Sequence, residues 1–223
     1  MLKSVVFFKR RAGMAVEEFQ HYWLTTHADV VRRLPGLRRY VQSHTRLAGY
    51  AKGEPVYDGI AEIWADDLAT LRAMVEAPEH AAVLADEARF IDRATQGAIV
   101  TQEHVIKDGP VPPGAAKNVE FVTRRPDLTV EAFQRHWRMV HGPLGASIPV
   151  IRRYVQSHTT PERYARGRTP RYDGIAVTWF DSTQTMRVSA TTPEYAATRA
   201  DEPNFIAPGP IPIIITTEHV IVP

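Results

Sequence analysis

The period of the hydrophobic pattern changes several times along the first half of the chain, and each change marks an element. Residues 3–11 carry the β-favouring run Val5, Val6, Phe7 and Phe8, which predicts a strand. Across 15–33, Val16, Phe19, Trp23, His27, Val30 and Leu34 recur at helical spacings and mark one face of an amphipathic helix. Glu17 and Glu18 suit its positive first turn, and Pro35-Gly36 ends it. Residues 37–46 and 56–65 predict two further strands, with the chain turning near Gly53 and Pro55. A helical segment follows Asp66-Asp67, is interrupted near Pro78 and resumes through Phe90; a last strand is predicted over 98–107.

The same pattern then starts again. Phe7, Arg10, Val16, Glu17, Phe19, Trp23, His27 and Pro35 recur as Phe121, Arg124, Val130, Glu131, Phe133, Trp137, His141 and Pro149, at a constant offset of 114 residues. Arg38 to Thr45 recurs unbroken as Arg152 to Thr159; one residue is then inserted, and Tyr57-Asp58-Gly59-Ile60-Ala61 recurs as Tyr172 to Ala176 at an offset of 115. Two copies with a period above 100 residues make a fused dimer of modules, not a solenoid. The predicted organisation is a first module over 1–108, a Pro- and Gly-rich linker over 109–118 and a second module over 119–223. Each module reads βαββαβ, the ferredoxin-like order, and the fold class is α+β. A sheet with helices on one face needs cover on the other. The second copy is the obvious cover, so the expectation is an intramolecular dimeric α/β-barrel of eight strands with four helices outside.

Composition narrows the function classes. Lys and Arg total 27 against 25 Asp and Glu, with no long basic run, so nucleic acid is not an expected partner. There is no cysteine, which removes disulfides, thiolate nucleophiles and Cys metal sites. The apolar run at the start is too short for a signal peptide or membrane span, and a cytoplasmic protein without membrane contact is the default. The histidines lack HxH or HExxH spacing, and no phosphate-binding glycine loop is present, so neither metal nor cofactor is expected.

Three stretches carry a family resemblance. They are Phe19-x-x-x-Trp23-x-x-x-His27, Leu34-Pro35-Gly36-Leu37-Arg38-Arg39-Tyr40, and Tyr57-Asp58-Gly59-Ile60-Ala61-Glu62-Ile63-Trp64, most of which the second copy repeats. Together they resemble the EthD family of the dimeric α/β-barrel superfamily, over nearly the whole chain outside the linker. Similar proteins include muconolactone methylisomerases, fungal polyketide tailoring lyases and, further off, cofactor-free monooxygenases and haem-binding barrels. Resemblance to the methylisomerases implies a helix histidine at His27 and His141 and a strand tyrosine at Tyr40 and Tyr154 as catalytic groups.

Read from the residues alone, His27 and His141 are either core histidines or general acid/base groups. Tyr40, Gln42 and His44 alternate onto one strand face, with His158 in the second copy, and are expected to line the barrel interior beside Trp23 and Trp137. Asp58 or Glu62 orients a histidine or acts as a base, the alternative for Asp58-Gly59 being a turn or bulge; Asp58 and Asp173 are candidate substrate-binding residues, as are His104 and His219, which are edge or pocket residues. Glu62 becomes Val177 in the second copy, although its neighbours Asp58, Ile60 and Trp64 persist. A carboxylate facing a partly buried interior needs a partner or a task. One active pocket containing Glu62, and one degenerate pocket near Val177, is therefore expected; the alternative is that Glu62 points to solvent. The leading functional expectation is a cofactor-independent lyase or isomerase acting on a small cyclic, aromatic or polyketide-like molecule. The alternatives are a cofactor-free or haem-dependent monooxygenase, or a non-catalytic binding protein. A homodimer is a possible assembly.

Overall fold

The computed structural model describes residues 1–223 apart from Arg166. It is an α+β structure whose eight strands follow one another in the closed hydrogen-bonded order β1-β3-β2-β8-β5-β7-β6-β4. Two compact units divide the chain: residues 1–100 with 216–223, and residues 101–215.

In the first unit, β1 (Leu2–Arg10) pairs antiparallel with β3 (Gly59–Ala65), and β3 with β2 (Arg39–Thr45). The other edge of β2 pairs with Thr216–Val222, the end of β8 (Ile213–Val222). Helices α1 (Val16–Tyr22), α2 (Ala28–Val31), α3 (Leu68–Glu76) and α4 (Pro78–Phe90) cover one sheet face. Asp67 caps α3 by accepting the Thr70 amide at 2.8 Å, and Pro78 opens α4 at a position where its missing N–H is harmless. The core beneath them joins Phe8, Phe19, Trp23, Val31, Tyr40, Met74, Val83 and Phe90.

The second unit repeats the scheme. Here β5 (Ala116–Val122) pairs with β7 (Gly174–Phe180), β7 with β6 (Arg153–Thr159), and β6 with the 101–107 half of β4 (Ile91–Lys107). Helices α5 (Val130–His136), α6 (Gly142–Ser147), α7 (Thr183–Ser189) and α8 (Pro193–Asp201) cover it.

Three sequence expectations change. β4 begins at Ile91, not 98, and runs through Gly97, where the Phe7 ring comes within 2.3 Å of the place a Cβ would take and so requires glycine. The segment 109–118 is not all linker: β5 starts at Ala116, and Lys117 is fully buried. The first helix of each copy widens into a π-helical turn, Trp23–His27 and Trp137–His141. Periodicity near 3.6 does not distinguish such a turn from ordinary helix.

Candidate functional site

The π-helical turns decide where the aromatic and polar strand residues go. The carbonyl oxygens of Trp23 and Trp137 accept the side-chain amides of Gln42 and Gln156, each at 2.8 Å. The two indoles stack on His44 and His158 at 4.3 and 4.4 Å between centroids. Tyr40 and Tyr154 accept the same glutamine amides at 2.9 Å. Tyr40, Gln42 and His44 therefore lie on the helix-covered face of the sheet, and do not line a barrel interior as expected. Burial first, and then the neighbouring His219 or His104, push the imidazoles of His44 and His158 down to about 3. His219 and His104 sit against them at 4.6 Å.

The opposite face of the first sheet carries Lys3, Ser43 and Glu62. Glu62 is buried, and its carboxylate accepts Lys3 Nζ at 3.0 Å and Ser43 Oγ at 3.3 Å. Burial of a carboxylate here is matched by a buried ammonium. Asp58 is likewise engaged, accepting the Arg10 amide at 2.7 Å, Arg10 Nη1 at 2.6 Å and the Tyr50 hydroxyl at 2.5 Å. Asp173 accepts the Arg124 amide at 2.9 Å and the Tyr164 hydroxyl at 2.7 Å. These two aspartates tie a loop to the end of a strand.

A cavity of about 350 Å³ opens in the second unit, between the helix-side face of the sheet and α6–α8. His141 and Tyr154 line it, with Glu120, Asn118, Thr178, Arg199 and Glu202 among the polar groups and Ile148, Ile151, Met186 and Ile215 among the apolar ones. Glu62 and Val177 are not among its walls. The reason lies in apolar positions that changed between copies. Val6, Val31, Ile63, Met74 and Val83 pack in the first core. Their counterparts are Glu120, Gly145, Thr178, Ser189 and Thr198, all on the cavity wall. Space and polarity arise together.

Two carboxylates share this space. Asn118 Nδ2 donates to Glu120 Oε1 at 2.8 Å, and Arg199 Nη1 donates to Glu202 Oε1 at 2.7 Å. Burial pushes Glu120 up. Burial, with the charge of Glu120 added, pushes Glu202 up to about 7 against the pull of Arg199. His141 presents Nδ1 to Asp201 at 3.1 Å, and burial lowers its affinity for a second proton, so it is a neutral imidazole near pH 7. Asp201 is shared with His136 at 3.0 Å. Burial holds Tyr154 as a phenol well above its ordinary range, with a hydroxyl proton to donate. In the first unit His27 bonds Asp86 at 2.8 Å and packs on Phe90, and Tyr40 also takes the Trp23 indole N–H at 3.2 Å. The same residue types there sit in a filled core.

Of the expected site residues, only His141 and Tyr154 reach the cavity wall. Glu120, Glu202, Arg199 and Asn118 were not foreseen. The self-comparison marks Glu120 and Arg199, which stand where the first copy has Val6 and Leu84; it does not mark Asn118, whose counterpart is the polar Ser4, or Glu202, which repeats Glu87. Among the described residues, no group of three or more His, Asp or Glu is arranged to hold a metal ion. No helix among them is long and apolar enough to cross a membrane.

The EthD domain matches residues 11–94 and again 125–209, and the chain belongs to the EthD family with the domain in tandem. No curated protein matches it. Among solved structures, an anthrone oxidase-like protein aligns over 99% of this chain and 93% of its own, with 12% identity and a TM-score of 0.70. A candidate monooxygenase from Lactobacillus acidophilus NCFM aligns over 97% and 93%, with 11% identity and a TM-score of 0.58. An EthD family protein from Bacillus halodurans covers 47% of this chain and 99% of its own, with 25% identity and a TM-score of 0.38. The first two likenesses bear on fold.

Proposed function

We propose that the chain is a cofactor-independent oxygenase whose second-unit cavity removes a proton from a small ring compound. The observation that carries this is the Glu120–Glu202 pair, with Glu202 pushed up to about 7. A general base works best when its pKa lies near the working pH, and an ordinary glutamate lies well below it. In this reading Glu202 takes a proton from an activated CH₂, and Tyr154 donates a hydrogen bond to the enolate oxygen that forms. Neutral His141, oriented by Asp201, accepts or returns a proton at the same site. The carbanion passes electrons to dioxygen: R₂CH₂ + O₂ gives R₂C=O + H₂O. The choice of dioxygen as acceptor is supported by the fold likeness to an oxidase-like protein.

A second reading keeps the proton abstraction and returns the proton elsewhere on the ring, which makes the protein an isomerase or lyase. The His141 and Tyr154 pair on one wall favours it. Haem does not fit the residues present. The cavity is at the small end of ligand sites. Its wall also carries two carboxyl groups, Glu120 and Glu202, which would be poor neighbours for a large apolar macrocycle. Anthrone in an oxygen electrode separates the readings. Stoichiometric oxygen uptake that disappears in Glu202→Gln supports the oxygenase. An absence of uptake with a series of anthrones and naphthols, alongside anaerobic conversion of the same compounds, supports the isomerase.

A further inference from the structure

The donors and acceptors on the cavity wall are unequal in number. Asn118 spends its amide hydrogens on Glu120 and, at 3.5 Å, on Thr178, while its Oδ1 is buried without a partner. Among the described residues Glu120 has no cation within bonding distance, whereas Glu202 has Arg199. The wall thus offers a surplus of acceptors: Asn118 Oδ1, Glu120 and the remaining lone pairs of Glu202. The apolar part of the lining, with Ile148, Ile151, Met186 and Ile215, suits an apolar body. Arg199 is balanced by one carboxylate, and the other carboxylate holds its proton more firmly than an exposed glutamate. The site is therefore close to neutral and rich in acceptors.

We infer that Glu120 is the specificity-determining residue of this cavity, which accepts an uncharged ring compound bearing hydroxyl donors and refuses the same ring bearing a carboxylate. A hydroxyl supplies the hydrogen that Asn118 Oδ1 lacks. A carboxylate brings no donor for Asn118 Oδ1, and its charge in a buried wall that already holds two carboxyl groups and one guanidinium is penalised. The first unit has Val6 at this position within a packed core, so this selectivity belongs to the second copy. The inference rests on the cavity being the active site, but its test reads affinity without turnover.

Calorimetric titration at pH 7.5 with 2-naphthol, 2-naphthoate and 2-naphthylmethylammonium tests it. In the native chain 2-naphthol should bind at least roughly tenfold more tightly than 2-naphthoate. Glu120→Gln, an isostere, should narrow that gap by improving 2-naphthoate. Arg199→Met should widen it. Gly145→Val should abolish 2-naphthol binding, because a Cβ there already comes within 2.9 Å of the Tyr154 ring. Four outcomes overturn the inference: equal affinity for naphthol and naphthoate, tightest binding of the ammonium, an unchanged gap in Glu120→Gln, or no binding of 2-naphthol that Gly145→Val removes. Selective binding of 2-naphthol without oxygen uptake leaves the inference standing and overturns only the oxygenase reading.

Discussion

Glu202 and Glu120 show what a change of one side chain does inside a packed layer. Where the first copy has Val6, a carboxyl group in the second copy loses water and raises the proton affinity of its neighbour. This has a consequence for stability. The pKa of Glu202 in the folded chain, about 7, exceeds the ordinary glutamate value of 4.5. Its protonated form therefore favours folding below the lower value, and that contribution is lost as pH rises through about 7. Between pH 5 and 8 the native chain should lose on the order of 1–3 kcal/mol that Glu202→Gln does not lose, read as a difference in denaturant midpoints. Activity should move the other way, rising with pH through the same range, since the base must be free of its proton. Glu202→Gln should lower turnover by roughly 10²–10⁴. A flat pH profile, or full turnover in the variant, would show that this carboxyl group is not the base.

At the scale of the element, the two π-helical turns and the strands beneath them repeat almost contact for contact, yet one copy is filled and the other hollow. Substitutions at paired positions should therefore differ. His141→Gln and Tyr154→Phe should slow turnover by about tenfold or more with little change in melting temperature. His27→Gln and Tyr40→Phe should instead lower the melting temperature and leave turnover nearly unchanged, because their partners are Asp86, Trp23 and Gln42 within a core. The stacked histidines give a second element-scale prediction. His44 and His158 are held neutral down to about 3, well below their ordinary value. A depressed histidine contributes stability above its unfolded pKa and loses it as pH falls. The chain should therefore weaken from about pH 6.5 downward, by on the order of 2 kcal/mol per histidine at pH 4.5. Thermal melts of the native chain and of His44→Gln across that range measure it, and a slope unchanged in the variant would rule the histidine out as its source.

For the whole molecule, duplication has not kept the two helix-side cores equivalent. The positions that open the cavity in the second unit are occupied by Val6, Val31, Ile63, Met74 and Val83 in the first. A saturating titration with 2-naphthol should therefore give one site per chain, and two equal sites would contradict the filled first core. The path of the last strand adds a prediction about truncation. Residues 216–222 pair with β2 in the first unit. A fragment of residues 1–110 lacks them and leaves the β2 edge unpaired, so sedimentation should show association or aggregation of the fragment in place of a monomer.

The sequence by itself determined the repeat, the βαββαβ order and the membership of each helix face. Those follow from local periodicity and from residues that recur at a fixed offset, such as Trp23 with Trp137 and Gln42 with Gln156. It also brought His141 and Tyr154 forward as candidate chemistry. It could not say which face of β2 meets the helices, since alternation defines two faces and does not label them. That choice came from the indole of Trp23, which lies on His44 and thereby turns Tyr40 away from Glu62. Nor could the sequence say that Glu62 has Lys3 as a partner from the far end of β1, 59 residues away. The cavity itself was a tertiary decision. Five changes scattered over β5, α6, β7, α7 and α8 look unrelated along the chain, and only packing brings Glu120, Gly145, Thr178, Ser189 and Thr198 around one volume.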